Sequence, residues 1–136
     1  MTILLDTCAA IWLVADAKVS TAAISALQEA RRRDEPIYVS PITGWEIGLL
    51  ASRGRFASAL PPKVWFDRLL SVEGVVLDEL PPSVLIDSSS LPGQPPRDPS
   101  DRIFIAAARE HGHAIMTRDD PILDYGKAGH VRTIAC

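Results

Sequence analysis

At 136 residues, the chain has the length of one ordinary domain, and a domain of this size buries roughly two-thirds of its unfolded surface without staples. Hydrophobic residues at 47% and charged residues at 23% exclude a disordered tail, a fibrous repeat and a charged linker. The net charge of -3, from 14 basic and 17 acidic residues, excludes a module that holds nucleic acid by bulk positive charge, though not an enzyme that acts on it. The longest apolar run, Cys8 to Ala15, is far too short to cross a membrane. No Lys or Arg precedes the first apolar residues, and Asp6 lies among them, unlike a secretory signal; a cytoplasmic location is expected. Cys8 and Cys136 stand at opposite ends with no metal-ligand spacing, and both are read as structural.

Thr2 to Leu5 is a short β-branched, apolar run that predicts a strand, and Ala9 to Ala15 an apolar helix opened by Asp6 or Thr7. Ser20 caps a second helix that carries Ile24, Leu27 and Ala30 and breaks at Pro36. Ile37 to Val39 is a strand. Ser40 and Pro41 then open a helix with Ile42, Trp45, Leu49 and Leu50, stopped near Gly54. Pro61 and Pro62 start the next, whose stripe of Trp65, Phe66, Leu69 and Leu70 ends near Gly74, before a strand at Val75 to Leu77.

Pro81 and Pro82 begin a short helix to about Ser88, and a Pro-rich loop from Leu91 to Pro96 leads to Asp98. Asp98 and Pro99 start a helix to His111 with Gly112 as its stop. Ala114 to Thr117 is a strand, Pro121 to Tyr125 a helical turn capped by Asp120, and Val131 to Ile134 the closing strand. Strands alternating with helices predict an α/β fold in one domain over residues 1–136, a three-layer sandwich around a mostly parallel sheet of about five strands.

In open sheets of this kind, functional groups gather beyond the carboxyl ends of the strands. Asp6 directly follows the first strand, Asp119 lies just past the fourth, Glu46 is two turns into the helix after the second, and Asp101 is in a helix's first turn. Asp101 also suits a capping arrangement with Asp98. Glu46 has apolar helical neighbours in Ile42, Leu49 and Leu50, so it needs a cation such as Arg53 or Arg118, a network of hydrogen-bond donors, or a metal. Four converging carboxylates would repel one another, and a divalent cation relieves this. Oxygen-only ligands point to Mg or Mn and to phosphodiester hydrolysis. Setting those four acids aside turns the net charge from -3 to +1, so the remaining surface tolerates a polyanion.

Leu4-Leu5-Asp6-Thr7, Trp45-Glu46-Ile47, Arg97-Asp98-Pro99-Ser100-Asp101-Arg102 with Ile105 to Ala108, and Thr117-Arg118-Asp119 occur in an order and spacing that resembles the PIN domain, and within it the VapC-type toxins of bacterial toxin-antitoxin pairs. The resemblance implies a Mg- or Mn-dependent endoribonuclease acting on structured RNA such as transfer or ribosomal RNA. It further implies inhibition by a VapB-type antitoxin and, commonly, a homodimer. Carried over by position, the catalytic acids are Asp6, Glu46, Asp101 and Asp119, with Asp6, Asp101 and Asp119 holding the metal and Glu46 acting on water. Thr7 and Thr117 match supporting hydroxyl residues, and Asp98 an acid read here as a cap. Pro96 stands where a His often precedes this Arg-Asp-Pro segment.

Arg97, Arg102 and Arg118 are candidates for RNA phosphates, with an ordinary surface role on their helix equally open for Arg102 and Arg109. Trp45, Trp65 and Phe66 are read as core, and the stripe from Trp65 to Leu70 is also a candidate dimer or antitoxin seam. His111, His113 and His130 are scattered along the sequence and are read as outside the chemistry. A haloacid dehalogenase-type phosphatase would need an acid at Cys8. A response-regulator receiver could use Asp78, but no Lys follows the last strand. The reading from another class is a PIN-like module that binds RNA or protein without cutting, whose mark would be loss of one of the acids.

Overall fold

In the computed structural model, which describes residues 1–136, strands and helices follow as β1 (Thr2–Leu5), α1 (Thr7–Ala15), α2 (Thr21–Arg32), β2 (Ile37–Val39), α3 (Pro41–Ser52) and α4 (Pro62–Ser71). Then come β3 (Val75–Leu77), α5 (Pro82–Asp87), α6 (Pro99–His111), β4 (His113–Thr117), α7 (Asp120–Lys127) and β5 (Arg132–Ala135). Helix starts follow local chemistry: Asp6, Ser20, Ser40, Asp98 and Asp119 each accept a backbone N–H that the helix itself leaves unbonded. At the far end of α6, Gly112 takes a left-handed φ of 75°, which a residue with a Cβ adopts only at a cost.

Several boundaries differ from expectation: α1 begins at Thr7 rather than Ala9, and α7 runs on to Lys127. The strand before Thr117 begins one residue earlier, because His113 pairs with Thr2. The last strand runs over Arg132–Ala135, in register with Ala114 to Thr117. Most consequentially, the cap of α7 is Asp119 and not Asp120: the carboxylate of Asp119 accepts from the Ile122 N–H at 3.1 Å.

The five strands form one parallel sheet in the order β3-β2-β1-β4-β5. Alternation along the strands sends Ile3, Leu5, Val39 and Met116 into a core with Ala9, Ala10, Ala23, Ile47, Trp65 and Leu69, from helices α1 to α4. Leu4 and Ile115 point to the opposite face, into a second core with Val84, Phe104, Ile105, Ala107, Ala108 and Ile122 from α5 to α7. Two cores on one sheet make the three layers that a parallel sheet requires.

Trp65 and Leu69 are buried, with Phe56 edge-on to Trp65 at 5.5 Å, so this half of the Trp65–Leu70 stripe belongs to the core and not to a seam. Trp45 departs from its reading as core, since it is 54% exposed on the outer face of α3. No helix is long and apolar enough to cross a membrane.

Candidate active site

The connections from β1 run toward β2 and β3, while those entering β4 lead on to β5, so the topological switch point lies between β1 and β4. Crevices at such points are where open α/β sheets bind ligands. Asp6 stands there: its backbone N–H bonds the Met116 carbonyl at 3.2 Å, extending the β1–β4 ladder. It is 6% exposed. One carboxylate oxygen accepts from the Ala9 N–H at 2.8 Å and the other from the Thr117 hydroxyl at 2.5 Å.

Glu46 reaches the same edge from α3. Of the partners open to it, the protein supplies hydroxyl donors and no arginine: the Thr7 hydroxyl donates to Oε1 at 2.6 Å and lies 3.1 Å from the Thr43 hydroxyl. Arg118 is committed elsewhere. It stacks over the Trp12 ring at 3.8 Å and donates to the Cys136 and Lys18 carbonyls at 2.8 and 2.7 Å. Arg102 Nε donates to the Pro96 carbonyl at 2.6 Å. Among the three arginine candidates for RNA, Arg97 is the exposed one without a bonded partner.

Asp98 caps α6 through the Ser100 N–H at 2.8 Å, which agrees with its capping role. Asp101 follows three residues later, half-buried, and unlike Asp6 and Glu46 its carboxylate accepts no hydrogen bond within the protein. That difference shows in its proton affinity. Burial, and then the charges of Asp119, Asp98, Glu46 and Asp6, push Asp101 up to about 7. Burial also raises Asp6 and Glu46; Thr117 and the Ala9 N–H pull Asp6 back, and Thr7 pulls Glu46 back. Asp6, Glu46, Asp101 and Asp119 thus act on one another as a single electrostatic group.

No Lys, Arg or His forms an ion pair with any of the four. An oxygen-only donor set, partly desolvated and without a compensating cation, fits a hard divalent metal ion. Two neighbours of the cluster were not anticipated. Cys8, read as structural, is exposed on the first turn of α1, and partial desolvation of its sulfur together with all four acids raises its thiol above the usual range. A thiol held protonated in this way is a poor nucleophile. Thr43 is fully buried; its place one turn before Glu46 on α3 was the available signal.

Fold and site together define a parallel three-layer α/β protein with a carboxylate cluster suited to a divalent cation at its switch point. The family model described as the PIN domain matches residues 3–128. Over 119 residues the chain is 34% identical to Ribonuclease VapC22 of Mycobacterium tuberculosis, covering 87% of each chain. Its fold is similar to the crystal structure of VapBC2 from Rickettsia felis bound to a promoter DNA fragment, with a TM-score of 0.67 at 12% identity over 99% of this chain and 98% of that one. It is also similar to FitAcB from Neisseria gonorrhoeae, with a TM-score of 0.57 at 20% identity over 97% and 96%. The chain belongs to the PIN domain family and, within it, groups with the VapC ribonucleases.

Proposed function

We propose that this chain is a metal-dependent endoribonuclease, the toxin of a VapBC-type pair, restrained in the cytoplasm by a VapB-type antitoxin and using Mg or Mn. What supports this reading is that Asp6, Glu46, Asp101 and Asp119 lie within electrostatic reach of one another and none of them has an ion-pair partner. The relative named a ribonuclease and the fold shared with VapBC2 support it. Residues 1–136 act as one domain in this reading, RNA is the substrate, and a homodimer is the expected assembly.

Asp6, Asp101 and Asp119 hold the cation. When bound, it supplies positive charge against the scissile phosphate and acidifies a water. Thr117 and the Ala9 N–H fix Asp6 in one orientation, and the α7 cap fixes Asp119, so neither must be ordered at the moment of reaction. With Oε1 of Glu46 held by Thr7, Oε2 is free to take a proton from the attacking water. The water oxygen bonds phosphorus, the P–O bond on the far side breaks, and the electron pair leaves with the released oxygen. Arg97, exposed and unpaired, holds an RNA phosphate in register.

The test is cleavage of a mixed cellular RNA pool by purified protein with Mg, with Mn and with EDTA, alongside Asp6→Asn and Glu46→Gln. Discrete metal-dependent cuts, absent from both folded variants, are expected. Cutting that survives in the variants, or no cutting with either metal, overturns the nuclease reading and leaves a PIN-like binding module.

A further inference from the structure

The histidines read as scattered do not stay so. Asp78, His111 and His113 meet on the α5–α6 side of the sheet, away from the acid edge: His113 opens β4 and Thr117 ends it, about 13 Å apart at the usual rise per strand residue. Nε2 of His113 lies 3.1 Å from Oδ1 of Asp78, and Nδ1 of His111 lies 3.2 Å from both carboxylate oxygens of Asp78. All three donor atoms fall within 4.8 Å of one another.

The surroundings hold these groups in place. The backbone N–H of Asp78 bonds the Val39 carbonyl at 2.7 Å. The second ring nitrogen of His113 is 2.5 Å from the Thr2 hydroxyl, and Tyr38 packs its ring against His113 at 4.6 Å. Asp78 and His113 are 6% and 4% exposed, while His111 keeps a flank to solvent.

We propose that Asp78, His111 and His113 form a second metal site, for one transition-metal dication of the Zn²⁺ class, with a fourth position open past His111. Donors on a tetrahedral ion with bonds of about 2.1 Å are separated by about 3.4 Å, and two of the three separations here are already 3.1 and 3.2 Å. Zn²⁺ bound through Nε2 leaves Nδ1–H of His113 to donate to Thr2, the arrangement that orients metal-bound imidazoles. Two imidazoles and one carboxylate favour Zn²⁺ over Mg²⁺, the reverse of the oxygen-only edge. The ion would tie the end of β3, the last turn of α6 and the start of β4 together, so its binding energy would add to fold stability.

The test uses the full, tag-free, metal-stripped chain in excess Mg²⁺, titrated with Zn²⁺ alone by calorimetry, with Tm recorded in parallel. One equivalent is expected to bind and raise Tm in the parent and in Asp101→Asn. His111→Gln, at a partly exposed position, is expected to keep the parent's circular dichroism while weakening Zn²⁺ at least about tenfold and losing the Tm gain. Co²⁺ in place of Zn²⁺ should show ligand-field bands without a thiolate charge-transfer band. Absence of Zn²⁺ binding at micromolar concentration, its persistence in His111→Gln, its loss in Asp101→Asn, or a thiolate band pointing to Cys8 would each overturn the proposal.

Discussion

The hydroxyl of Thr117 donates to Asp6 at 2.5 Å across 111 residues of sequence, and accepts from the Asp119 N–H at 2.9 Å. One buried oxygen therefore sets the position of two carboxylates of the site. Thr117→Val keeps the shape and removes both bonds, leaving a buried charge short of a donor; hydrogen bonds to charged groups contribute about 1.5–3 kcal/mol. The expected outcome is a loss of that order in urea unfolding at pH 7, with weaker Mn²⁺ binding and with both recovered in Thr117→Ser.

Asp101 has the opposite balance, since it receives no donor and is opposed by four other acids. Asp101→Asn should raise the Tm of metal-free protein at pH 8 by a few degrees while abolishing Mn²⁺ binding and RNA cleavage. A site whose charges are held against their own repulsion trades stability for function. Equal or lower Tm in the variant would show that Asp101 is relieved by a contact other than a cation.

The same carboxyl predicts a pH dependence. Folded Asp101 keeps its proton to about 7, whereas the unfolded chain releases it near 3.8, so between these values the folded state binds more protons. Stability of the metal-free protein should therefore fall as pH rises from about 4 to 7, opposite to the behaviour of a salt-bridged carboxylate. Saturating Mg²⁺, which binds the ionised form, should flatten the slope. Thermal melts across pH 4.5 to 8, with EDTA and with Mg²⁺, measure both slopes.

Arg118 is next to Asp119 in sequence but works at the opposite side of its own backbone, against Trp12 and two carbonyls. Arg118→Ala should cost about 1–2 kcal/mol from the lost cation–π contact and charged hydrogen bonds. RNA affinity, measured with an uncleavable substrate, should change far less than in Arg97→Ala.

The Pro-rich loop before Asp98 is pinned by Tyr125, whose hydroxyl donates to the Pro92 carbonyl at 2.5 Å and whose ring stacks on His130 at 4.7 Å. Gly93 has φ 66°, and a Cβ there would meet His130 Nε2 at 2.5 Å. Gly93→Ala should therefore destabilise by at least about 1 kcal/mol, read from the denaturation midpoint, while Gly54→Ala, with open space around it, carries only the backbone strain of its positive φ.

The amino-acid order by itself determined the helix starts at Ser20, Ser40 and Asp98, the stop at Gly112 and the strand cores, because caps, prolines and alternation act within a few residues. It also marked Asp6 and Asp119 by their places just past strands, Glu46 by its apolar helical neighbours, and Asp101 by its place in the first turn of a helix. Only the tertiary structure decided that Glu46 meets Thr7 and not an arginine, that Trp45 faces outward, and that Asp78 gathers two histidines. The Glu46 and Asp78 contacts join segments 33 to 39 residues apart. They exist because the strand order β3-β2-β1-β4-β5 brings distant edges together, and no local window of the chain carries that order.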